Sequence, residues 1–178
     1  MVVQFHPNAD PALIAAVREA IVIWNDVLAA AGALSIMTLT DVTDSGDPEH
    51  KADIVLHYVP DAGGTVFGGY AICGDHKCNN VLVRSDLPKP LDRDPYTAEY
   101  LGWVTLHELG HALGLGHAEP LEETNDLMGY GWPPLEPVLS PCDLRALEVV
   151  FAWAIAGDDP YPPTVASVDC SDLCKRRR

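Results

Sequence analysis

The sequence predicts one domain of mixed helices and strands, in the α+β class. A chain of 178 residues, nearly half of them apolar, has the size of a single domain and can bury a substantial core. Three pairs of the Asp-Pro or Ser-Pro type mark helix starts, and short runs rich in valine, isoleucine and leucine are typical of strands. Because no segment repeats, we expect one folding unit.

The individual elements follow from local signals in chain order. An Asp-Pro pair at residues 10–11 opens a helix that runs to about Ala31, because its apolar residues recur at helical spacing. A second such pair, at residues 94–95, opens a helix to about Leu113, and a Ser-Pro pair at residues 140–141 opens the last one. The predicted strands are residues 2–5, 52–58 and 80–84.

One stretch of eleven residues, 107–117, carries the chemistry and reads H-E-x-x-H-x-x-G-x-x-H. His107 and His111 are four residues apart, so both imidazoles leave the same face of a helix and can hold one ion. Gly114 can end that helix in a left-handed turn, which brings His117 round as the third ligand. Chance would produce the full pattern in a chain of this length on the order of one time in 10⁵.

Glu108 directly follows the first histidine, which places its carboxylate beside the open side of the metal. Three imidazoles leave zinc one position for a water molecule, whose pKa zinc lowers to about 7. Glu108 is then the general base that takes the water proton and the general acid that returns it to the leaving amine. An exposed glutamate in a salt bridge is the alternative, and the position next to His107 disfavours it.

This motif resembles that of the metzincins, zinc peptidases in which a methionine-containing turn follows the third histidine. Residues 125–130 are the candidate turn, and Met128 is the one of three methionines at a fitting distance. The resemblance implies that Met128 lies beneath the metal as an apolar floor and does not bind it. Within the clan, the short path from His117 to Met128 and the run at residues 139–143 are most similar to the matrixins.

The resemblance also implies a fold, a mixed α/β sandwich built as one catalytic domain. Residues 1–117 would form a twisted, mostly parallel sheet with a backing helix and the active-site helix. Residues 118–178 would form a small irregular part with one helix, and the substrate cleft would run between the two. An edge strand of the sheet would pair with the substrate. Residues 79–83 are the candidate strand, an inner strand being the alternative, and the candidate pairing residues are Val81, Leu82 and Val83.

Two positions depart from the matrixin pattern. Ala118 follows the third histidine, where metzincin families differ from one another. Tyr130 stands two residues after Met128, where astacin-like and serralysin-like enzymes place a tyrosine near zinc and matrixins do not. Tyr130 is therefore either adjacent to zinc or part of the pocket wall. Trp132 and Pro133 would shape the pocket for the residue after the scissile bond, or else form a rigid connector.

The acidic balance of the chain limits its partners. A net charge of −15 repels phosphate backbones and anionic membranes, so we expect neither nucleic-acid nor membrane partners. No apolar run is long enough to span a bilayer. We expect peptide or protein substrates and a monomeric protein. The acidic surface would serve solubility, with a preference for cationic substrates as the alternative.

The five cysteines favour disulfides over a second zinc site, because neither closely spaced pair is C-x-x-C. The pairs are Cys73 with Cys78 and Cys170 with Cys174, and Cys142 is left over. Disulfides predict a secreted or extracytoplasmic protein. No signal peptide is recognisable in this chain, and a cytoplasmic protein with free thiols is the alternative.

The pattern as a whole predicts an endopeptidase with one catalytic Zn²⁺ ion. A protease of narrow specificity that processes one partner, and a zinc-binding module with little activity, are the alternatives. A Ca²⁺ site is only weakly indicated. The acidic residues over 41–49 lack the ligand order of an EF-hand, so a solvated loop is favoured.

Overall fold

Five strands and three helices make up the part of the chain that the structure, a computed structural model, describes. The described residues are 2–5, 11–32, 40–41, 53–59, 69–73, 78–84, 98–117, 127–129 and 139–151. The strands are β1 (Val2–Phe5), β2 (Thr40–Asp41), β3 (Ile54–Val59), β4 (Gly69–Cys73) and β5 (Cys78–Arg84). The helices are α1 (Pro11–Ala30), α2 (Ala98–Ala112) and α3 (Pro141–Val150).

The strands form one sheet in the order β2-β1-β3-β5-β4. Strand β1 pairs in parallel with β2 and β3, and β3 pairs in parallel with β5. Strand β4 runs antiparallel to β5 and is the outer strand on that side of the described sheet. The predicted mixed class with a mostly parallel sheet is confirmed, whereas β2 and β4 were not recognised from their sequences.

The prediction that residues 79–83 form the edge strand is wrong. Val81 is paired with Leu56 of β3 on one side and with Ala71 of β4 on the other, and the same holds for Leu82 and Val83 along the strand. Both backbone edges of β5 are therefore occupied within the sheet, so Val81, Leu82 and Val83 cannot pair with a substrate strand.

Helix α1 packs against α2, and Trp24 lies at the contact. The indole is fully buried, and its Nε1–H donates a hydrogen bond to the Leu106 carbonyl at 2.9 Å. A buried indole needs such an acceptor, because its donor would otherwise lose its hydration without compensation. Helix α2 also contacts the outer strand β4 and its neighbour β5, so the helix that carries the histidine motif lies over that end of the sheet.

Helix α3 begins where the sequence predicts. The Ser140 N–H donates to Asp143 Oδ2 at 2.9 Å, and the Asp143 N–H donates to Ser140 Oγ at 3.2 Å. This reciprocal pair satisfies amides that have no partner within the helix itself.

Among the described residues, none of the helices combines the length and apolarity needed to cross a bilayer.

Two of the five cysteines face each other in the strand register. Cys73 of β4 is the register partner of Cys78 of β5, next to an irregularity in the ladder. Directly opposed residues in an antiparallel pair have Cα atoms about 4.5–5.5 Å apart, which lies within the range that a disulfide spans. A Cys73–Cys78 disulfide stays a prediction, and Cys170 and Cys174 lie outside the described residues.

Candidate metal centre

Helix α2 carries two of the predicted ligands, His107 and His111, on its last two turns. Beyond the helix, Gly114 has a φ of 93°, in the left-handed region. The Leu115 N–H donates to the Gly110 carbonyl at 3.0 Å, and the Gly114 N–H donates to the His111 carbonyl at 2.9 Å. These two hydrogen bonds are those of a Schellman motif, so the predicted turn at Gly114 is confirmed.

The turn brings three imidazole rings together. His111 Nε2 lies 3.1 Å from His107 Nε2 and 3.2 Å from His117 Nε2. Within the part of the chain that the structure describes, these side chains form the one group of three that could hold a metal ion. The predicted ligands therefore converge on a single point.

Backbone carbonyls determine which nitrogen is protonated in two of the three rings. His107 Nδ1 lies 2.6 Å from the Leu127 carbonyl, and His111 Nδ1 lies 2.7 Å from the Leu115 carbonyl. A carbonyl oxygen only accepts, so in each ring Nδ1 is the donor and Nε2 of the neutral ring carries a lone pair.

Burial keeps these rings neutral. Burial, followed by the charge of His111, lowers the pKa of His107 to about 4, and burial also lowers the pKa of His111. At neutral pH their two lone pairs therefore face each other across 3.1 Å without a proton between them. Such an arrangement is repulsive unless a cation lies between the nitrogens.

The nitrogen separations fit zinc. Zinc bonded tetrahedrally to imidazole at about 2.0–2.1 Å places the nitrogens roughly 3.3 Å apart, close to the 3.1 Å and 3.2 Å found here. The carbonyls of Leu127 and Leu115 are the outer partners that orient two of the rings. Three imidazole nitrogens and no thiolate are also the donor set of a catalytic zinc site, which keeps one position open.

Glu108 lies beside the histidines on α2 and is 4% exposed. Burial raises the pKa of its carboxyl group to about 8. Its Oε2 atom is buried without a hydrogen-bond partner among the described residues. A glutamate in a surface salt bridge would be exposed and paired, so the alternative interpretation of Glu108 is excluded.

Met128 packs against α2 at Gly110, between the two histidines that the helix carries. Its side chain is fully buried, and its Sδ atom would be 2.5 Å from a Cβ atom at Gly110. Leu127, the preceding residue, supplies the carbonyl that orients His107. The segment at residues 127–129 thus contacts the histidine motif in two places, at the backbone of Gly110 and at the ring of His107.

Comparisons with known proteins find likeness among solved structures. No protein-family model matches the chain, and no curated protein matches it in sequence. Among solved structures, the crystal structure of archaemetzincin from Methanopyrus kandleri is similar, with a TM-score of 0.50 and 18% sequence identity. The likeness covers 83% of this chain and 92% of that chain. The chain has an archaemetzincin-like fold. At this identity the likeness concerns the fold, and the finer resemblance to matrixins stays a prediction.

Several residues to which the sequence assigns a role in the site lie outside the described residues. These are Tyr130, Trp132 and Pro133, together with Ala118 and most of the acidic residues over 41–49. Their predicted roles near zinc, in the pocket wall or around calcium therefore stay predictions.

Sequence reasoning missed the groups that orient the ligands. The Leu115 and Leu127 carbonyls are backbone atoms, which any residue type would supply, so no sequence signal marks them. Gly110 did carry a signal, because a glycine inside a helix costs about 1 kcal/mol relative to alanine unless a close contact requires it. The contact is the packing of α2 against Met128 and Trp24.

Gly110→Ala is expected to destabilise the protein by about 1–3 kcal/mol, the usual cost of overpacking a core. The new Cβ would lie 2.5 Å from Met128 Sδ and 3.1 Å from Trp24 Cζ2. Urea denaturation measures the loss. The loss caused by Gly110→Ala should be smaller when it is measured in a Met128→Ala background, because the nearest atom is then gone. An increase in stability, as helix propensity alone would give, would contradict the packing.

The contribution of Glu108 to the stability of the metal-free protein should fall as the pH rises from about 4.5 to about 8. The unfolded chain releases the Glu108 proton near pH 4.5, whereas burial raises the folded-state pKa to about 8. The folded state therefore binds the extra proton across this window, and its contribution is complete below the lower pKa and lost above the higher one. The change approaches roughly 5 kcal/mol as an upper bound.

Urea denaturation with a chelator present, at several pH values, measures this dependence. Glu108→Gln is the matched control, because it keeps the size of the side chain and removes its titration. The histidines titrate in both proteins, so the difference between the two curves isolates Glu108. Parallel curves for the two proteins would contradict the prediction.

Proposed function

We propose that this protein is a zinc-dependent endopeptidase. The observation that carries the proposal is the convergence of imidazole nitrogens whose lone pairs face each other at 3.1 Å, beside a buried carboxyl oxygen that has no hydrogen-bond partner within the described part of the chain. The archaemetzincin-like fold and the resemblance of residues 107–117 to the metzincin motif support the same activity.

His107, His111 and His117 would hold the metal through their Nε2 atoms. When bound, zinc supplies Lewis-acid chemistry, lowering the pKa of a water molecule to about 7 and polarising a carbonyl oxygen. Glu108 would accept the water proton and later donate it to the amine of the departing peptide. Its buried environment favours the protonated carboxyl group, so a carboxyl that has taken up this proton is held in a stable form.

Met128 would form the apolar floor of the site. Its full burial against Gly110 and the hydrogen bond from His107 to the neighbouring Leu127 carbonyl support that placement. A thioether packed under the ligands excludes water from that side without competing for the metal. Tyr130 would lie close by in the chain, as a residue adjacent to zinc or in the pocket wall.

The substrate strand would pair with β4 rather than with β5. Strand β4 is outermost on its side of the described sheet, and it contacts α2, which carries the histidines. An extended peptide can add to an exposed strand edge through backbone hydrogen bonds that do not depend on its sequence. Peptides of many different sequences would then bind in the same orientation.

Incubation with a mixed peptide library, with and without a chelator, tests the proposal. We expect cleavage at many sites, its loss on chelation and its return when zinc is added. Cleavage of a single sequence would favour the narrow processing protease. Stoichiometric zinc binding without any cleavage would contradict the proposal and favour a zinc-binding module. Glu108→Gln is the control for a contaminating protease.

A further inference from the structure

A glycine on the outer strand lies against the catalytic candidate. Gly69 is the first residue of β4 and is buried. A Cβ atom at this position would be 2.9 Å from both Cγ and Oε1 of Glu108. Real Cβ atoms do not approach other heavy atoms so closely, so the Glu108 side chain occupies space that any residue other than glycine would fill.

The other neighbour of Gly69 leaves little room for relief. The same Cβ would lie 2.7 Å from the Leu82 carbonyl oxygen of β5. Leu82 is an inner-strand residue, paired with His57 of β3 and with Tyr70 of β4, so moving its backbone would disturb two ladders. Glu108 has rotatable side-chain bonds, so its side chain is the group that would move if residue 69 had a Cβ atom.

The side of Glu108 that faces Gly69 carries Cγ and Oε1, and the second carboxylate oxygen is not among the atoms nearest to that glycine. Glu108 Oε2 has no hydrogen-bond partner among the residues that the structure describes. Holding a glutamate side chain in one conformation costs rotamer entropy, and a close steric boundary reduces the number of conformations open to it. The backbone of β4 at Gly69 is such a boundary.

We propose that Gly69 is a positioning residue for Glu108, which rests on the proposed function of that glutamate. By having no side chain, it lets the backbone of β4 lie against the carboxylate and hold it beside the histidines. The side chain that moves the proton and the strand proposed to pair with substrate are then in direct contact, so their relative position is fixed.

Gly69→Ala tests the proposal through kinetics. We expect kcat to fall about 10-fold to 10²-fold, because a displacement of about 1 Å costs that much in a positioned catalytic group. We expect KM to change less than about threefold and zinc to stay stoichiometric, since neither ligands nor backbone edge is removed. A loss confined to KM, or a loss of zinc, would overturn the positioning role.

Gly32→Ala is the matched control. Gly32 is exposed after α1 with a φ of 80°, and a Cβ there would meet nothing within 4 Å. Alanine at a positive φ destabilises the protein without touching the site. Unchanged kcat in this variant shows that lost stability alone does not reproduce the effect of Gly69→Ala.

A stability cycle tests the contact without relying on activity. In metal-free protein we expect Gly69→Ala to lower the denaturation midpoint, and to lower it less when Glu108→Ala is also present. The double variant lacks the Cγ and Oε1 atoms, so only the Leu82 clash remains. Equal losses in both backgrounds would overturn the contact. If Gly69→Ala alone does not fold, recovery of folding in the double variant supports the contact and continued failure overturns it.

The two proposals fail separately. Absence of chelator-sensitive cleavage by the wild-type protein would defeat the peptidase assignment while the stability cycle still reports the contact. Zinc-dependent cleavage together with an unchanged kcat in Gly69→Ala would defeat the positioning role alone.

Discussion

Glu108→Gln is expected to keep the zinc and the fold while kcat falls by at least about 10²-fold, the usual contribution of a general base. Glutamine has nearly the same shape but accepts no proton at neutral pH. The wild-type carboxyl is buried beside the proposed ligands, where it would accept the proton of a water molecule held by the metal. Removing that acceptor should act on kcat much more than on KM.

Peptide cleavage under single-turnover conditions, with zinc content measured on the same sample, checks this result. Glu19→Gln is the matched control, because Glu19 is an exposed glutamate on α1 and should leave kcat unchanged. Full activity in Glu108→Gln would end the assignment of this residue. Loss of zinc in that variant would show that Glu108 acts on the metal site rather than on the proton.

The sequence predicted the convergence of the three histidines because their placement depends on local geometry. A spacing of four residues puts His107 and His111 on one helix face whatever the rest of the fold does. Gly114 then ends the helix through a left-handed conformation that glycine adopts without strain, and the Schellman hydrogen bonds follow from that conformation. His117 follows Gly114 by three residues, so its position is determined by this local turn.

The strand order could not be predicted in the same way. Residues 80–84 have a good strand pattern, but pairing on one side or both depends on strands that are distant in the chain. Strand β2 has two residues, and β4 begins with glycine, which weakens a strand signal. The proposed role of Gly69 could not be predicted for the same reason, because it depends on a contact with Glu108, 39 positions later in the sequence.

His111→Ala is expected to abolish stable zinc binding and, with it, chelator-sensitive cleavage. His111 Nε2 is the atom that lies within 3.2 Å of both other proposed ligand nitrogens, so its removal leaves only two of the three converging imidazoles. Losing an outer partner of a metal ligand costs about 10-fold to 10²-fold in affinity, and losing the ligand itself should exceed this. Competition with a chelator of known affinity measures the change.

The thermal stability of the same variant provides an independent test. Zinc that binds only the folded state stabilises it in proportion to the logarithm of its concentration, so zinc should raise the Tm of the wild-type protein and leave that of His111→Ala unchanged. His57→Ala on β3 is the control, because it removes an imidazole that belongs to no metal-binding group among the described residues. It should respond to zinc as the wild-type protein does. A zinc-dependent rise in Tm that survives in His111→Ala would place the ion elsewhere, and the three converging histidines would then need another explanation.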